Sequence, residues 1–245
     1  MKFVFEPAHT PFGTIYLLDL GTLTDAEYDR VKPVIEFLNG HWSERLHRFV
    51  FRTDVSSELA VLLKTGIETS EKYRYQERTQ FYPTPASVAK RTVDLCDIKP
   101  GMKVLEPSAG KGRLVDQIVV SCEITCVEPM PENSSVLRGK GYRTFELFFE
   151  DFAKTCGTFD RIVMNPPFSQ QRDALHVMLA YRLLRKGGIL TAIVSENSLY
   201  YQTDISDLFR CFLYDVDAEI EPIPFSAFEE SGTMIDTVII RIVKK

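Results

Sequence analysis

The stretch of sequence that decides the fold is Met102-Lys-Val-Leu-Glu106-Pro-Ser-Ala-Gly110-Lys-Gly112-Arg-Leu114. Its first residues have the apolar pattern of a short buried strand, and the turn that follows opens a predicted helix reaching to about Val120. A strand, a glycine turn and a helix in this order begin the nucleotide-binding half of a doubly wound α/β fold.

The glycine turn departs from two familiar phosphate-binding patterns. It lacks the Gly-Lys-Ser/Thr of a phosphate loop, and Val115 stands where a dinucleotide-binding turn has its third glycine. A tight turn containing Gly110 and Gly112, preceded by an acid and a proline, therefore indicates a cofactor that the turn holds without phosphates.

The chain on either side of this turn alternates strand-like and helix-like runs. We predict further strands at Glu123–Val127, Tyr142–Phe145, Phe159–Met164, Ile189–Val194, Ala218–Ile223 and Met234–Val243, with helices at Ala86–Leu95 and around Leu175–Leu183. The prediction is an α/β domain over residues 76–245, with a Rossmann-like, seven-stranded, mostly parallel sheet and helices on both of its faces.

Residues 1–75 differ in composition and predict a small α+β module. The segment Thr24-Asp-Ala-Glu27 is a capping box, which predicts a helix that runs towards Phe37. Trp42, the only tryptophan, is either part of a surface that contacts nucleic acid or a partner, or a core residue of the module. We favour the core interpretation.

Composition excludes several classes of protein. The 245 residues are 44% hydrophobic and 26% charged, which is ordinary for a globular protein, and no apolar run is long enough to span a membrane. The five scattered cysteines and four histidines lack the spacing of a zinc site and predict a reducing, cytoplasmic setting without metal. A net charge of −5 argues against strong autonomous binding to duplex nucleic acid.

Residues Met164-Asn165-Pro166-Pro167-Phe168 follow a buried strand directly. The prolines fix the backbone, so the Asn165 side chain and the Pro166 carbonyl are predicted to be two rigid acceptors beside an aromatic ring. Two acceptors and a stacking face suit a planar group that carries an NH2. An ordinary turn is the alternative.

Acids close two other predicted strands. Glu128, after the second strand, can bind both hydroxyls of a ribose, or it is a solvated strand-end acid. Asp151 can accept from an adenine amino group while Phe152 covers the ring, or Phe148, Phe149 and Phe152 are core residues. His176 lies one step round from the apolar stripe of its helix and is predicted at the surface.

Together these motifs resemble the class I S-adenosylmethionine-dependent methyltransferases, and among them the DNA adenine-N6 methyltransferases. The resemblance covers roughly Phe81 to Val243, and the N-terminal segment around Trp42 loosely resembles leader segments of methyltransferases from phages and mobile elements. It implies a methionine-binding element, a glycine turn under the cofactor, a ribose-binding acid and an adenine-binding pair. The implied cofactor-binding residues are Phe81, Tyr82, Thr84, Glu106, Pro107, Ala109, Gly110, Gly112, Glu128, Asp151 and Phe152.

The resemblance also implies the chemistry. Asn165, Pro166, Pro167 and Phe168 would form the catalytic motif, and Phe168 and Phe228 would be the aromatic walls around a flipped base. The expected substrate is DNA, with sequence specificity that is low or supplied by a partner protein or a homodimer, because family members that read a sequence usually carry an additional recognition domain. Alternatives are the same chemistry on RNA or on a glutamine side-chain amide, and a non-catalytic binding module.

Overall fold

The computed structural model of the chain describes residues 3–10, 13–38, 40–44, 46–52, 54–65, 84–224, 227 and 236–245. The chain divides into two compact units, Met1–Ser70 and Glu71–Lys245, whereas the sequence predicts a boundary between residues 75 and 76. Each unit contains its own sheet. Within the described ranges, no helix combines the length and the apolar character that crossing a membrane requires.

The N-terminal unit is built on an antiparallel sheet in the order β1-β2-β4-β3. Its elements are β1 (Val4–Thr10), β2 (Gly13–Asp19), α1 (Asp25–Phe37), β3 (His41–Ser43), β4 (Arg48–Phe51) and α2 (Ser56–Thr65). The capping box is confirmed, because Thr24 accepts from the Glu27 backbone at 3.3 Å and the Glu27 carboxylate accepts from the Thr24 backbone at 2.9 Å.

The preferred interpretation of Trp42 is wrong. The side chain is 46% exposed, and its ring packs edge-on against Phe49 at a centroid distance of 5.1 Å. The reason is its position on β3, a three-residue strand at the end of the sheet, where nothing described continues the sheet beyond it.

The C-terminal unit confirms the predicted seven-stranded sheet, in the order β10-β11-β9-β8-β5-β6-β7. Its strands are β5 (Lys103–Glu106), β6 (Glu123–Val127), β7 (Arg143–Phe145), β8 (Phe159–Met164), β9 (Leu184–Ser195), β10 (Glu219–Pro222) and β11 (Thr237–Val243). Strands β5 to β9 pair in parallel, and β10 and β11 are antiparallel. The helices are α3 (Ala86–Leu95), α4 (Pro131–Gly139), α5 (Phe149–Ala153), α6 (Arg172–Leu183), α7 (Asn197–Tyr200) and α8 (Asp204–Asp215).

Strand β5 lies in the interior of this sheet. Both of its parallel neighbours, β6 and β8, pair with it directly, and Val104 and Leu105 are fully buried. Burying a side chain of this size stabilises the fold by roughly 1.5–3 kcal/mol. Because the chain leaves β5 towards β6 and later returns on the other side at β8, a crevice opens where the strand order reverses.

The predicted helix after the glycine turn does not form. The chain makes a series of turns and a short 3-10 helix at Val115–Gln117, which ends at Ile118. The next residues, Val119 and Val120, extend a β-branched run, and β-branched side chains lose rotamer freedom in a helix. Strand β9 also begins earlier than the predicted Ile189, at Leu184, so Arg185 to Gly188 belong to the strand.

Helix α8 was not predicted. It begins at Thr203, whose hydroxyl accepts from the Ser206 backbone at 3.2 Å, and it buries Leu208, Phe209 and Leu213. Tyr181 of α6 meets Phe212 of α8 at a ring-centroid distance of 5.3 Å. Helix α6 is therefore covered by α8 as well as by the sheet, and almost all of its side chains are buried.

Candidate active site

A cavity of about 590 Å³ lies at the carboxyl ends of the parallel strands of the C-terminal unit. It spans the point where the strand order reverses between β5 and β8, which is where open α/β sheets bind their ligands. Ten of the predicted site residues line it: Thr84, Glu106, Pro107, Ala109, Gly110, Glu128, Asn165, Pro166, Pro167 and Phe168. Phe81, Tyr82 and Phe228 lie outside the described residues.

The turn after β8 holds an amide in one orientation. Asn165 donates from Nδ2 to the Thr84 hydroxyl at 2.9 Å, and its Oδ1 is buried without a hydrogen-bond partner among the described residues. Thr84 is only 4% exposed. The turn thus presents one unsatisfied acceptor beside the Pro166 carbonyl and the Phe168 ring.

Thr84 lies just before α3, which has the predicted bounds Ala86–Leu95. Pro85 is the N-cap of the helix, and no side chain caps it. The Thr84 hydroxyl is therefore available to Asn165. Its predicted role at the methionine end of a cofactor stays a prediction.

Two consecutive glutamines after Phe168 have left-handed backbone. The φ angles of Gln170 and Gln171 are 53° and 59°, a conformation that costs non-glycine residues free energy. The Gln171 side chain accepts from the Thr203 hydroxyl at 2.9 Å and donates to the Ser206 hydroxyl. These bonds tie the turn to the first residues of α8.

The glycine turn is shaped by backbone conformation and close packing. Gly112 has φ +86°, which strains any residue with a side chain, and a Cβ there would stand 2.9 Å from Cδ2 of Leu137 in α4, so Leu137 would have to shift. Gly110 has φ 52°, and its N–H donates to Glu128 at 2.8 Å. An amide already engaged by a carboxylate is not available to a phosphate, which agrees with the prediction that the turn holds no phosphate.

Two buried carboxyls face this turn with different numbers of donors. Glu128 accepts from the Gly110 and Met130 backbone amides and from Asn133. Glu106 accepts only from the Val115 amide, at 3.2 Å, and its other oxygen is buried without a partner among the described residues. Burial raises the pKa of Glu128 and raises that of Glu106 well above its usual value.

The structure does not bring Asp151 and Phe152 to the cavity. Asp151 forms an ion pair with Lys154 at 3.1 Å, and Phe152 is buried against the rings of Phe145 and Phe159. Because α5 begins at Phe149, the residues that line the cavity there are Phe148 and Phe149. Of the two interpretations of this segment, core burial describes Phe152.

The predicted surface position of His176 is wrong. The side chain is 1% exposed and lines the cavity. Its Nε2 lies 3.1 Å from the Glu150 carboxylate, which also accepts from Arg172 at 2.9 Å. Burial alone would raise the pKa of Glu150, but the interactions of its carboxylate with His176 and Arg172 outweigh burial and hold that pKa below its usual range.

A second buried acid supports the wall formed by β9 and α7. Asp173 is fully buried and accepts from the Ser195 amide and from the Ser198 hydroxyl, both at 2.8 Å. Burial raises its pKa to about 6. Ser195 and Ser198 line the cavity in turn.

Other residues of the cavity carry no motif that sequence reasoning uses. The lining includes Lys111, Arg113, Pro129, Met130, Asn133, Gln170, Asn197, Tyr201 and Thr203. Their common signal is that they follow the ends of parallel strands or the turn after β8. Within the described part of the chain, no group of three or more histidine, cysteine or acidic side chains is placed to hold a metal ion.

Comparisons with known proteins agree with this geometry. A family model described as methyltransferase small domain matches residues 124–215, which is less than half of the chain. No curated protein matches the sequence.

Solved structures show the same fold at low identity. A modification subunit assigned to a type I restriction enzyme from Vibrio vulnificus YJ016 is 18% identical, with a TM-score of 0.55, over 78% of this chain and 51% of its own. A protein assigned as a class I S-adenosylmethionine-dependent methyltransferase from Listeria monocytogenes is 16% identical, with a TM-score of 0.53, over 76% of this chain and 66% of its own. A 23S rRNA methyltransferase, ErmE, is 16% identical, with a TM-score of 0.50, over 67% of this chain and 64% of its own.

The chain thus spans between half and two thirds of the length of these structures. The fold is that of S-adenosylmethionine-dependent methyltransferases. Together with the match to the small domain, it implies S-adenosylmethionine as the cofactor.

Proposed function

We propose that this chain transfers a methyl group from S-adenosylmethionine to the exocyclic N6 amino group of adenine in DNA, with sequence specificity that is low or supplied by a partner. The observation that carries the proposal is the buried, unpartnered Oδ1 of Asn165, which Thr84 holds in place through the Nδ2 hydrogen bond. A buried acceptor without a partner is costly in a protein interior. It is explained if an incoming N–H group is its partner.

The cavity fits the proposed cofactor. Glu128 has a lone pair left for a ribose hydroxyl, since its three donors occupy only part of the capacity of a carboxylate. The unpartnered oxygen of Glu106 offers an acceptor to the ammonium group at the methionine end. The close approach of Gly112 to α4 shapes the turn beneath it. When bound, the cofactor supplies a methyl group on a positively charged sulfur, already activated for transfer.

The catalytic turn has no need of a strong base, because the nitrogen attacks as the neutral amine and, once methylated and positively charged, is acidic enough to lose its extra proton to water. The Asn165 Oδ1 and the Pro166 carbonyl would each accept one hydrogen of the target amino group, which directs the nitrogen lone pair towards the methyl donor. Positioning and fixed dipoles of this kind supply much of the rate acceleration of many enzymes. Phe168, which also packs against the apolar cluster of Val88, Ile193 and Ile239, would stack on the target ring.

Several features support nucleic acid as the substrate. Lys111 and Arg113 line the cavity and can meet phosphates. Tyr201, 50% exposed, lines it as well and is a second ring beside which a base can stack. Phe228 keeps its proposed role as the other wall. The solved structure from Vibrio vulnificus is a modification subunit of an enzyme, in line with specificity that another subunit supplies.

Incubation with tritiated S-adenosylmethionine and nucleic acid, followed by analysis of the nucleosides, tests the proposal. The substrates are single-stranded DNA, double-stranded DNA and RNA, all unmethylated. We expect the label in N6-methyldeoxyadenosine, and its rate of incorporation to be lower by about 10²- to 10³-fold with the Asn165→Ala variant. Label in RNA nucleosides alone would transfer the activity to RNA, and a protein that binds the cofactor but labels neither would overturn the proposed substrate.

A further inference from the structure

His176 has a polar atom that the described residues leave unused. The side chain is 1% exposed and lines the cavity, and its Nδ1 is buried without a hydrogen-bond partner among the described residues. Such an atom inside a binding cavity calls for a partner on the ligand. The catalytic turn does not use it.

The neighbours of the ring determine which hydrogen bond Nδ1 can make. Arg172 donates to the Glu150 carboxylate at 2.9 Å, so this group is ionised and acts only as an acceptor. The Nε2 atom of His176, 3.1 Å from the same oxygen, therefore carries the hydrogen. A neutral imidazole that donates from Nε2 has its lone pair on Nδ1.

The position of His176 identifies the part of the cofactor that it meets. If Glu128 after β6 binds the ribose and the methyl group must reach Asn165 after β8, the purine extends away from Asn165, to the side of β7. Phe148 and Phe149, which follow β7, line the cavity there. The His176 ring lies edge-on to Phe149 at a centroid distance of 5.4 Å.

We propose that Nδ1 of His176 accepts a hydrogen bond from the 6-amino group of the cofactor's adenine and makes the site specific for adenosine over 6-oxopurine nucleosides. The inference rests on the proposed function and assigns to His176 the recognition that the sequence assigns to Asp151. Phe148 and Phe149 supply the apolar surroundings of the purine. A 6-oxo group would place an acceptor opposite an acceptor, so the site would reject it.

Calorimetric binding of two product analogues tests this directly, without nucleic acid and without turnover. S-adenosylhomocysteine and S-inosylhomocysteine differ at position 6 of the purine, in the amino or oxo group and the attendant proton at N1. At pH 8 we expect the wild-type protein to bind the adenosine form on the order of 10- to 100-fold more tightly, as for a buried hydrogen bond left unmade. Equal affinity for the two would overturn the inference while leaving the proposed function in place, whereas no binding of either would count against the function itself.

Variants of His176 and Asp151 test which residue is responsible for the preference for S-adenosylhomocysteine over S-inosylhomocysteine. His176→Gln keeps an N–H donor for Glu150 but removes the ring acceptor, and His176→Phe keeps a ring without either nitrogen. Both are expected to bind the two analogues within about threefold of each other. In Asp151→Asn the preference should persist, and its loss there instead would return the role to Asp151.

A measurement on the wild-type protein covers the case in which the His176 variants do not fold. The chain has four histidines, so nitrogen-15 NMR of the imidazoles can resolve His176. We expect the Nε2-protonated form throughout, with the Nδ1 resonance moving upfield when S-adenosylhomocysteine binds and not with an equal concentration of S-inosylhomocysteine. An Nδ1 resonance that does not respond to S-adenosylhomocysteine would refute the hydrogen bond.

Discussion

The two sides of the cavity offer opposite kinds of acceptor. On the side of β5 and β6 the acceptors are carboxylates, Glu106 and Glu128, both nearly inaccessible to solvent. On the side of β8 the acceptor is the neutral amide of Asn165, oriented by a neutral hydroxyl. The difference matches the two proposed ligands. The cofactor carries positive charge, which carboxylates attract, whereas an aromatic amino group is neutral and has to be oriented by hydrogen bonds. Substitutions on one side should therefore change binding of the cofactor, and substitutions on the other should change turnover.

The largest effect is expected from Asn165→Ala. Removing the acceptor should lower kcat by about 10²- to 10³-fold, as the loss of a fixed polar group that acts in the transition state does in other enzymes. Binding of S-adenosylhomocysteine should stay within about threefold of wild type. Single-turnover rates at saturating cofactor and calorimetry measure the two quantities. The matched control, Asn165→Asp, keeps an acceptor and should retain part of the rate; an equally inactive Asp variant would show that the acceptor alone is not what matters.

Asp173 is a buried carboxyl on the side of the cavity that contains Asn165. Its titration should change the free energy of unfolding. Burial raises its pKa from 3.8 to about 6, so the folded state favours the protonated form. Its contribution to the free energy of unfolding is complete below pH 3.8 and is lost as the pH rises through about 6. Because one pKa unit corresponds to about 1.4 kcal/mol, the change amounts to about 3 kcal/mol.

Urea unfolding between pH 4 and pH 7 measures this change against Asp173→Asn, in which the same titration is absent. Wild-type stability should fall relative to the variant as the pH rises over this interval. Parallel curves for the two proteins would show that Asp173 does not titrate there.

Thr84→Val should affect turnover less than Asn165→Ala does. Valine has nearly the shape of threonine but cannot accept from Nδ2, so the Asn165 amide can rotate and present its NH2 to the substrate. Losing one hydrogen bond of this kind corresponds to roughly a 10-fold fall in kcat, with the hydroxyl restored in Thr84→Ser as the control. If cofactor affinity changes more than kcat does, Thr84 contributes to binding the cofactor instead, which is the role that the family resemblance implies.

The smallest effect is expected from Glu106→Gln. Burial raises the pKa of Glu106 well above its usual value, so the carboxyl is protonated at low pH and ionises as the pH rises. The ammonium group of S-adenosylhomocysteine favours the ionised form of Glu106, and affinity for this ligand should therefore increase with pH by up to about 10-fold in the wild type. In Glu106→Gln it should change little, and calorimetry across pH 5 to 8 makes the comparison. A pH dependence preserved in the variant would assign it to another group.

Strand ends and the glycine turn could be predicted because their signals are local. The strands Glu123–Val127 and Phe159–Met164 have the predicted bounds, and Gly112 stands where any side chain would be strained and would displace Leu137. Short apolar runs between turn residues carry enough information to place the ends of parallel strands side by side.

His176 could not be predicted because periodicity shows which face of a helix is apolar, not how many faces are covered. Helix α8 encloses α6 from outside the sheet, and the sequence of α6 alone contains no sign of this. The prediction that Asp151 lies in the cavity failed for a different reason. Helix α5 has no capping side chain at Phe148, so nothing in the sequence marks that it begins two residues before Asp151.

The left-handed backbone of Gln170 and Gln171 has a consequence for how fast the cavity can open. Each such residue stores on the order of 1 kcal/mol of strain, and the bonds from the Gln171 side chain to Thr203 and Ser206 hold it in place. If those bonds break, the two residues are free to relax towards the right-handed region, and the relief of strain lowers the barrier to moving the turn. The contacts between Gln171 and the start of α8 therefore also control how easily the turn after Phe168 can move.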